Sequence, residues 1–578
     1  MTTATKFELL HKINSPQDVK QLTIEEMKEL ATQARELIIN KVNAIGGHMG
    51  PNLGFVEATI ALHYVFNSPK DKFVFDVSHQ CYTHKMLTGR KEGYLNPEKY
   101  QTISGFTNPH ESEHDIFEIG HTSTSVSLAT GLAKGRDLTG GNENIIAIIG
   151  DGSLSGGQAF EGLSNAAELN SNMIILVNDN DMSISPNAGG LYQNLALLRE
   201  TKGTAKNNFF TTLGFDYLFV EDGNDVEALI EVFNQVKDSN KPVILHVLTE
   251  KGLGLPQAQT NKEAFHWILP EKLRNAPTSE DYNSITVDYI LEKAKNDQKV
   301  VAITPGTAGL GSMRPEVRAK LGSQFIDVGI AEQHAVALAS GIATNGGKPI
   351  LQISSSFVQR AYDQLSQDLA LNNAPATILV YRSGISSADA THLGTFDIPL
   401  ISNIPNITYL MPTNKEEYLA MLDWSVEQTE QSVVIRVPNT QVTSTGNHVT
   451  FNGDLSYKVI EKGSKIAILA LGQYFEKGRE IAKELGATLI NPVSATHLDT
   501  KMLEELKQTH DIIVTLEDGQ IEGGFGEKIA NYYSSSTMKV LTKGATKRFS
   551  SRESMDDLFA RYGLENEQIV KDVLQLNN

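Results

Sequence analysis

The chain has a single cysteine, Cys81, among its 578 residues. A disulfide framework is therefore excluded, which fits a reducing compartment. It has no stretch of 18 uncharged apolar residues, and its opening, "MTTATKFELLHKINSPQDVKQLT", has no apolar leader core. Neither a membrane span nor a secretory leader is expected, and a cytoplasmic location is the default. Positive charge is in short supply, with 50 Lys and Arg against 69 Asp and Glu, a formal charge of −19. That balance argues against nucleic acid and anionic membrane as partners, so any anionic ligand must be held by local donors. There is no Gly-Lys-Ser/Thr phosphate loop and no G-x-G-x-x-G fingerprint at the strand ends, which removes the two commonest nucleotide readings.

What is present is an alternation of short β-branched runs with helical patterns, the mark of parallel sheets flanked by helices, an α/β architecture. The runs are Ile145–Ile149, Met173–Val177 and Pro242–Val247, then Val300–Ile303, Phe325–Val328, Pro349–Ile353 and Thr377–Tyr381, then Lys465–Ala470, Ala487–Asn491 and Asp511–Leu516. A polar stretch at 269–284 and a turn-rich one at 439–454 separate the three sets. Domains at 1–280, 285–445 and 455–578 are expected.

Ligands of open α/β sheets sit beyond the carboxyl ends of the strands. The first run ends in Gly150-Asp151-Gly152 and the next in Asn178-Asp179-Asn180-Asp181. A crossover helix with Ala159, Phe160, Leu163 and Ala167 on one face would bring Asp151 and Asn180 together. A carboxylate and an amide oxygen suit Mg²⁺ completed by phosphate oxygens. Gly150, Gly152, Gly156 and Gly157 would let backbone approach a diphosphate. Taken alone the triplet fits an ordinary glycine-rich turn as well. The spacing to Asn180 resembles the diphosphate–Mg²⁺ motif of thiamine-diphosphate enzymes. Such chemistry needs a carboxylic acid at the aminopyrimidine, and Glu332, after an apolar strand in "FIDVGIAEQHAVALASG", supplies one. An isolated Glu there would serve a helix dipole.

Seven blocks, "VSHQCYTHKMLTGR", "IGHTSTSVSLATG", "IGDGSLSGGQAFEGLSNA", "VNDNDMSIS", "IAEQHAV", "SFVQRAYDQ" and "ADATHLGTFD", occur in order along nearly the whole chain. Together they resemble the 1-deoxy-D-xylulose-5-phosphate synthase family, a transketolase-like group. The resemblance implies three domains, a homodimer, thiamine diphosphate and Mg²⁺. It implies condensation of pyruvate with glyceraldehyde 3-phosphate, an aldehyde sugar phosphate, with release of CO₂. It places Asp151, Asn180 and the Met182 carbonyl at the metal. His79, Gly120, His121, Thr122, Gly152, Ser153, Phe357 and Arg360 join Asp151, Asn180 and Glu332 at the cofactor. Glu332, His48, His392, Asp389 and Arg382 carry catalytic roles.

The departures concentrate on acceptor recognition. Ser354 stands where the family has Tyr, and Asn439 where it has an Arg that contacts phosphate. Pro51, Leu255 and Pro270 replace Ser, Tyr and Lys, and the segment 186–212 is short. One charged hydrogen bond is worth about 1.5–3 kcal/mol, so its loss weakens a phosphorylated acceptor about tenfold to a hundredfold. The alternatives are therefore a related carboligase with another, non-phosphorylated aldehyde, and a silent ligand-binding paralogue.

Overall fold

The computed structural model describes residues 6–274, 279–309 and 312–577. The chain divides into two compact units, residues 1–278 with 329–331, and 279–328 with 332–578. Among the described residues no helix is long and apolar enough to cross a membrane.

The first unit is built on a parallel sheet of Lys72–Phe75 (β1), Ile145–Gly150 (β2), Met173–Asp179 (β3), Asp216–Val220 (β4) and Pro242–Leu248 (β5), in the order β1-β2-β3-β5-β4. β2 and β3 are buried almost throughout, which explains their unbroken apolar sequences. The crossover between them is the helix Gly157–Ala166. Its buried residues are Ala159, Gly162, Leu163 and Ala166, whereas Phe160 is exposed and meets the Phe209 ring at 5.6 Å. The expected face is thus corrected by about one residue: Phe160 lies outside the interface with the sheet, because the 3.6-residue period carries 159, 163 and 166 inward instead.

Helix Ile24–Ile45 begins in a capping box in which Thr23 and Glu26 bond each other's backbone amides. It ends at Gly46, with φ +81°. The chain then enters a short antiparallel ladder pairing Gly47 with Ile268 and His48 with Trp267. A Cβ at Gly47 would stand 2.9 Å from the Tyr82 hydroxyl.

Behind the 77–90 motif lies a buried polar chain. His63 Nε2 is 2.9 Å from His84 Nδ1, His84 Nε2 is 2.9 Å from Asp115 Oδ1, and Arg90 grips that carboxylate at 2.6 and 2.9 Å. Burial pulls both imidazoles below the ordinary histidine range. Each is then held neutral in the folded chain and takes up a proton more readily when unfolded. Stability is expected to be full above about pH 6.5 and to fall as the pH drops, by at most about 1.4 kcal/mol per unit per histidine. Thermal midpoints between pH 7.5 and 5 check this, and His63→Gln should flatten the slope. The neighbouring Cys81 thiol is buried and pushed up to about 12, so it is no nucleophile at neutral pH.

The second unit carries two sheets. One contains Val300–Thr304 (β6), Phe325–Asp327 (β7), Lys348–Ser354 (β8), Thr377–Tyr381 (β9), Ile407–Leu410 (β10) and Ser432–Arg436 (β11), all parallel, in the order β10-β11-β9-β8-β6-β7. The other contains Lys458–Glu461 (β12), Ile466–Ala470 (β13), Thr488–Asn491 (β14), Ile512–Gln520 (β15) and Lys539–Ala545 (β16), in the order β12-β14-β13-β15-β16, with only β12 antiparallel. Residues 437–457 between them contain no helix or strand. Of the polar stretch 269–284, residues 275–278 lie outside the described residues, Glu271–Arg274 is helical, and a helix capped by Asp281 starts at Tyr282.

Candidate active site

Parallel pairing sets Gly150 beside Asn178, so the turns after β2 and β3 are neighbours. Asp151 is buried, and its Oδ2 accepts from Met182 N (2.9 Å) and Asn187 Nδ2 (2.7 Å). Around it the buried oxygens Asn180 Oδ1, Ser183 Oγ and Asn187 Oδ1 have no hydrogen-bond partner. Burial, aided by the negative charge of Asp179, pushes the Asp151 carboxyl up to about 7. A buried carboxylate and oxygens left without donors on neighbouring turns are the kind of hard ligand that a divalent cation takes. The short segment 186–212 folds over the same turn. Its helix Gly190–Glu200 sends the Tyr192 hydroxyl to the carbonyls of Asp151 (3.1 Å) and Gly152 (3.2 Å). It also sends Arg199 to Asp179 (2.9 Å) and Asp181 (2.7 Å).

The four glycines separate into two kinds. A Cβ on Gly152 would lie 2.8 Å from Ser183 Cβ and 2.9 Å from its Cα, and one on Gly156 would lie 2.2 Å from Ser123 Oγ. At these two the Cβ direction is filled by protein loops packed against the glycine. Gly150 and Gly157 alone face open space within 4 Å. Gly152→Ala should push the 181–187 turn away and weaken binding of Mn²⁺, used as a spectroscopic stand-in for Mg²⁺, by about tenfold to a hundredfold. Electron paramagnetic resonance titration reads the change.

The loop with Gly120, His121 and Thr122 is anchored just beyond, at Ser123. Ser123 N donates to Asp76 Oδ1 (2.7 Å) and its Oγ to the Ser153 carbonyl (2.8 Å). Val77, Ser78, Ser123 and Asp181 all have φ between +58° and +74°. Such backbone strain gathers where loops are held for function.

His48, His79 and His266 form a triangle of rings with centroids 4.9, 5.4 and 5.5 Å apart. The β-ladder brings His48 to His266, and Asn52 brings it to His79 by donating to both backbone carbonyls (2.9 and 2.7 Å). Lys251, fully buried, donates to the Ser183 carbonyl (2.6 Å) and to His266 Nδ1 (3.1 Å). It therefore ties the metal-side turn to the histidines. Burial lowers its ammonium to about 8. Sequence reasoning did not select His266, Lys251 or Asn52. The stretches "KGLG" and "EAFHW" were visible, but only the ladder shows that they meet His48.

In the second unit Glu332 opens the helix Glu332–Thr344 and is 1% exposed. Its Oε2 is buried without a hydrogen-bond partner, 3.5 Å from Arg360 Nε. Burial raises its pKa, opposed by the Arg360 charge. A surface Glu serving a helix dipole would show none of this. The Phe357 ring meets His392 at 5.6 Å, and Thr391 Oγ1 lies 2.8 Å from His392 Nδ1. Arg382 is exposed at the end of β9 with φ +52°, and a bridge between Gly384 and Gly394 joins its loop to that of His392. Asn439 is exposed, and its backbone N–H donates to Gln473 Oε1 (2.9 Å). Ser354 is buried. Arg436 is locked between Asp397 and Asp518.

The family model for 1-deoxy-D-xylulose-5-phosphate synthase matches residues 10–208 and 197–249, the transketolase pyrimidine-binding domain matches 281–444, and the transketolase C-terminal domain matches 456–569. The 1-deoxy-D-xylulose-5-phosphate synthase of Clostridium tetani is 36% identical over 97% of this chain and 98% of its own length. The chain belongs to the 1-deoxy-D-xylulose-5-phosphate synthase family. The synthase of Shouchella clausii is also 36% identical, over 98% of each chain. A solved transketolase from Leishmania mexicana is 14% identical, covers 95% of this chain and 97% of its own, and has a TM-score of 0.43. Members of the synthase family use thiamine diphosphate with a divalent metal such as Mg²⁺. The donors here fit that metal. Among the described residues no group of three His, Cys, Asp or Glu could hold a metal. Asp151 with the unpartnered Asn180 Oδ1 offers the few hard oxygens that Mg²⁺ requires.

Proposed function

We propose that this protein condenses pyruvate with glyceraldehyde 3-phosphate to give 1-deoxy-D-xylulose 5-phosphate and CO₂, acting as a cytoplasmic homodimer with domains at 1–280, 285–445 and 455–578. The observation that carries the reading is that buried Asp151 and the orphaned Asn180 oxygen stand on the neighbouring turns after two paired strands. Asp151, Asn180 and the Met182 carbonyl would hold Mg²⁺. Gly120, His121, Thr122, Gly152 and Ser153 would line the diphosphate, and Phe357 and Arg360 the ring. When bound, thiamine diphosphate supplies a carbon nucleophile for the keto group and an electron sink for decarboxylation.

The chain's own part is orientation and proton control. Glu332, whose pKa burial raises, would hold and share a proton with the aminopyrimidine of the bound cofactor. His48, fixed through Asn52, orients the keto acid, and His79, held by the same side-chain amide, contacts the cofactor. His392 and Asp389 manage protons on the acceptor side, and Arg382 receives its phosphate. In the test, CO₂ release from pyruvate should rise when glyceraldehyde 3-phosphate is added. No turnover in protein holding its cofactor would reject the reading.

A second reading is favoured by one feature. Asn439 is neutral, Ser354 is buried and Arg436 is occupied by two carboxylates, so Arg382 is left as the phosphate-side guanidinium of that reading. This favours a non-phosphorylated aldehyde. A KM for glyceraldehyde at or below that for glyceraldehyde 3-phosphate would select it.

A further inference from the structure

We infer that Arg552, far along the chain from the cofactor motifs, is a positioning residue for Asp389 and His392. The inference rests on the proposed reading of their turn as part of the active site. The turn is closed by His392 N donating to the Asp389 carbonyl (2.9 Å). One side is braced by Ser356 Oγ, which donates to the Thr391 carbonyl (3.3 Å), and by the Phe357 ring. Its exit is held by Gly384 N donating to the Gly394 carbonyl (2.7 Å). A further side is closed by the loop between β16 and the helix Met555–Tyr562. From that loop Arg552 N donates to the Ala388 carbonyl (2.8 Å), and Arg552 Nε lies 3.5 Å from Asp389 Oδ1. Phe549 meets the Phe396 ring at 5.9 Å.

The loop is built to hold Arg552 there. Its φ is +52°, a left-handed backbone that a side chain adopts only when its surroundings over-determine it. Glu553 pairs with Arg548 (2.9 Å) and with Arg561. Ser554 caps the following helix, accepting from Asp557 N (3.1 Å) and donating to Asp557 Oδ2 (2.6 Å). A slip of one residue would break the cap and both ion pairs. The guanidinium therefore stands at a fixed place beside the carboxylate. Small misplacements of reacting groups cost up to about a hundredfold in rate, so a brace at this point acts on catalysis without touching substrate.

The test compares Arg552→Ala and Arg552→Lys with the wild type. In Arg552→Ala, kcat for CO₂ release from pyruvate should fall about tenfold to a hundredfold with KM for pyruvate and the thermal midpoint unchanged. Amide hydrogen exchange across 385–396 should quicken by about tenfold or more. Arg552→Lys should lie within about threefold of wild type on both readouts, because the charge remains beside Asp389. Wild-type values of kcat and exchange in Arg552→Ala would overturn the inference. So would a loss of kcat that comes with a fallen midpoint and is not recovered by lysine. Should the wild type release no CO₂, the proposed function fails, and hydrogen exchange still decides whether Arg552 holds the turn.

Discussion

Glu332→Gln should cut CO₂ release from pyruvate by about two to four orders of magnitude while leaving cofactor binding intact. The amide has the same shape but cannot hold and return the proton that Glu332 manages. Stability should move the other way. A carboxyl whose folded pKa is raised opposes folding once the pH exceeds its unfolded value, about 4.3, because the buried charged form is disfavoured. Removing the titration relieves that opposition, so at pH 8 the thermal midpoint of Glu332→Gln should equal or exceed the wild type. Opposed changes in rate and stability mark a group kept for chemistry. A steep fall in the midpoint would instead make the Arg360 pairing structural.

Arg436→Met carries the largest expected loss of stability. Arg436 Nε bonds Asp397 Oδ2 (2.7 Å), its other nitrogens reach Asp397 Oδ1 (3.2 Å) and Asp518, and all three residues are buried. The Tyr409 hydroxyl also donates to Asp397 (2.5 Å), and the two carboxylates hold Arg436 charged far above the usual pH range. Methionine fills the volume but leaves two buried carboxylates without their cation, at a cost of about 3–5 kcal/mol. The thermal midpoint should drop by on the order of 10 °C at pH 8. The deficit should narrow at pH 5, because the unpaired carboxylates then bind protons. Calorimetry at the two pH values checks both claims, and adding Asp397→Asn should restore part of the loss.

These residues also show what could be read before folding. The strands β2, β3, β5 and β9, buried along all or nearly all of their length, announce themselves as apolar runs, because a parallel strand covered on both faces has no polar alternation to disguise it. β12 (KVIE) carries no such signal, because it is an exposed antiparallel edge. β11 (SVVIR) carries a weak signal, because its apolar run is only three residues although all five are buried. Asp151, Asn180 and Glu332 were legible since each directly follows a strand or opens a helix, positions where side chains point toward ligands.

The linear order of residues determined the strand-end carboxylates, the cofactor chemistry they imply and the missing charge at Asn439, because each is a local matter of residue type beside a period. Only the tertiary structure decided that His266 and Lys251 join His48, that Gly152 and Gly156 serve loop packing, and that Arg552 braces Asp389. Those depend on β-ladders and loop contacts between segments tens to hundreds of residues apart, and no local period records which distant side chain fills the space beside a given backbone.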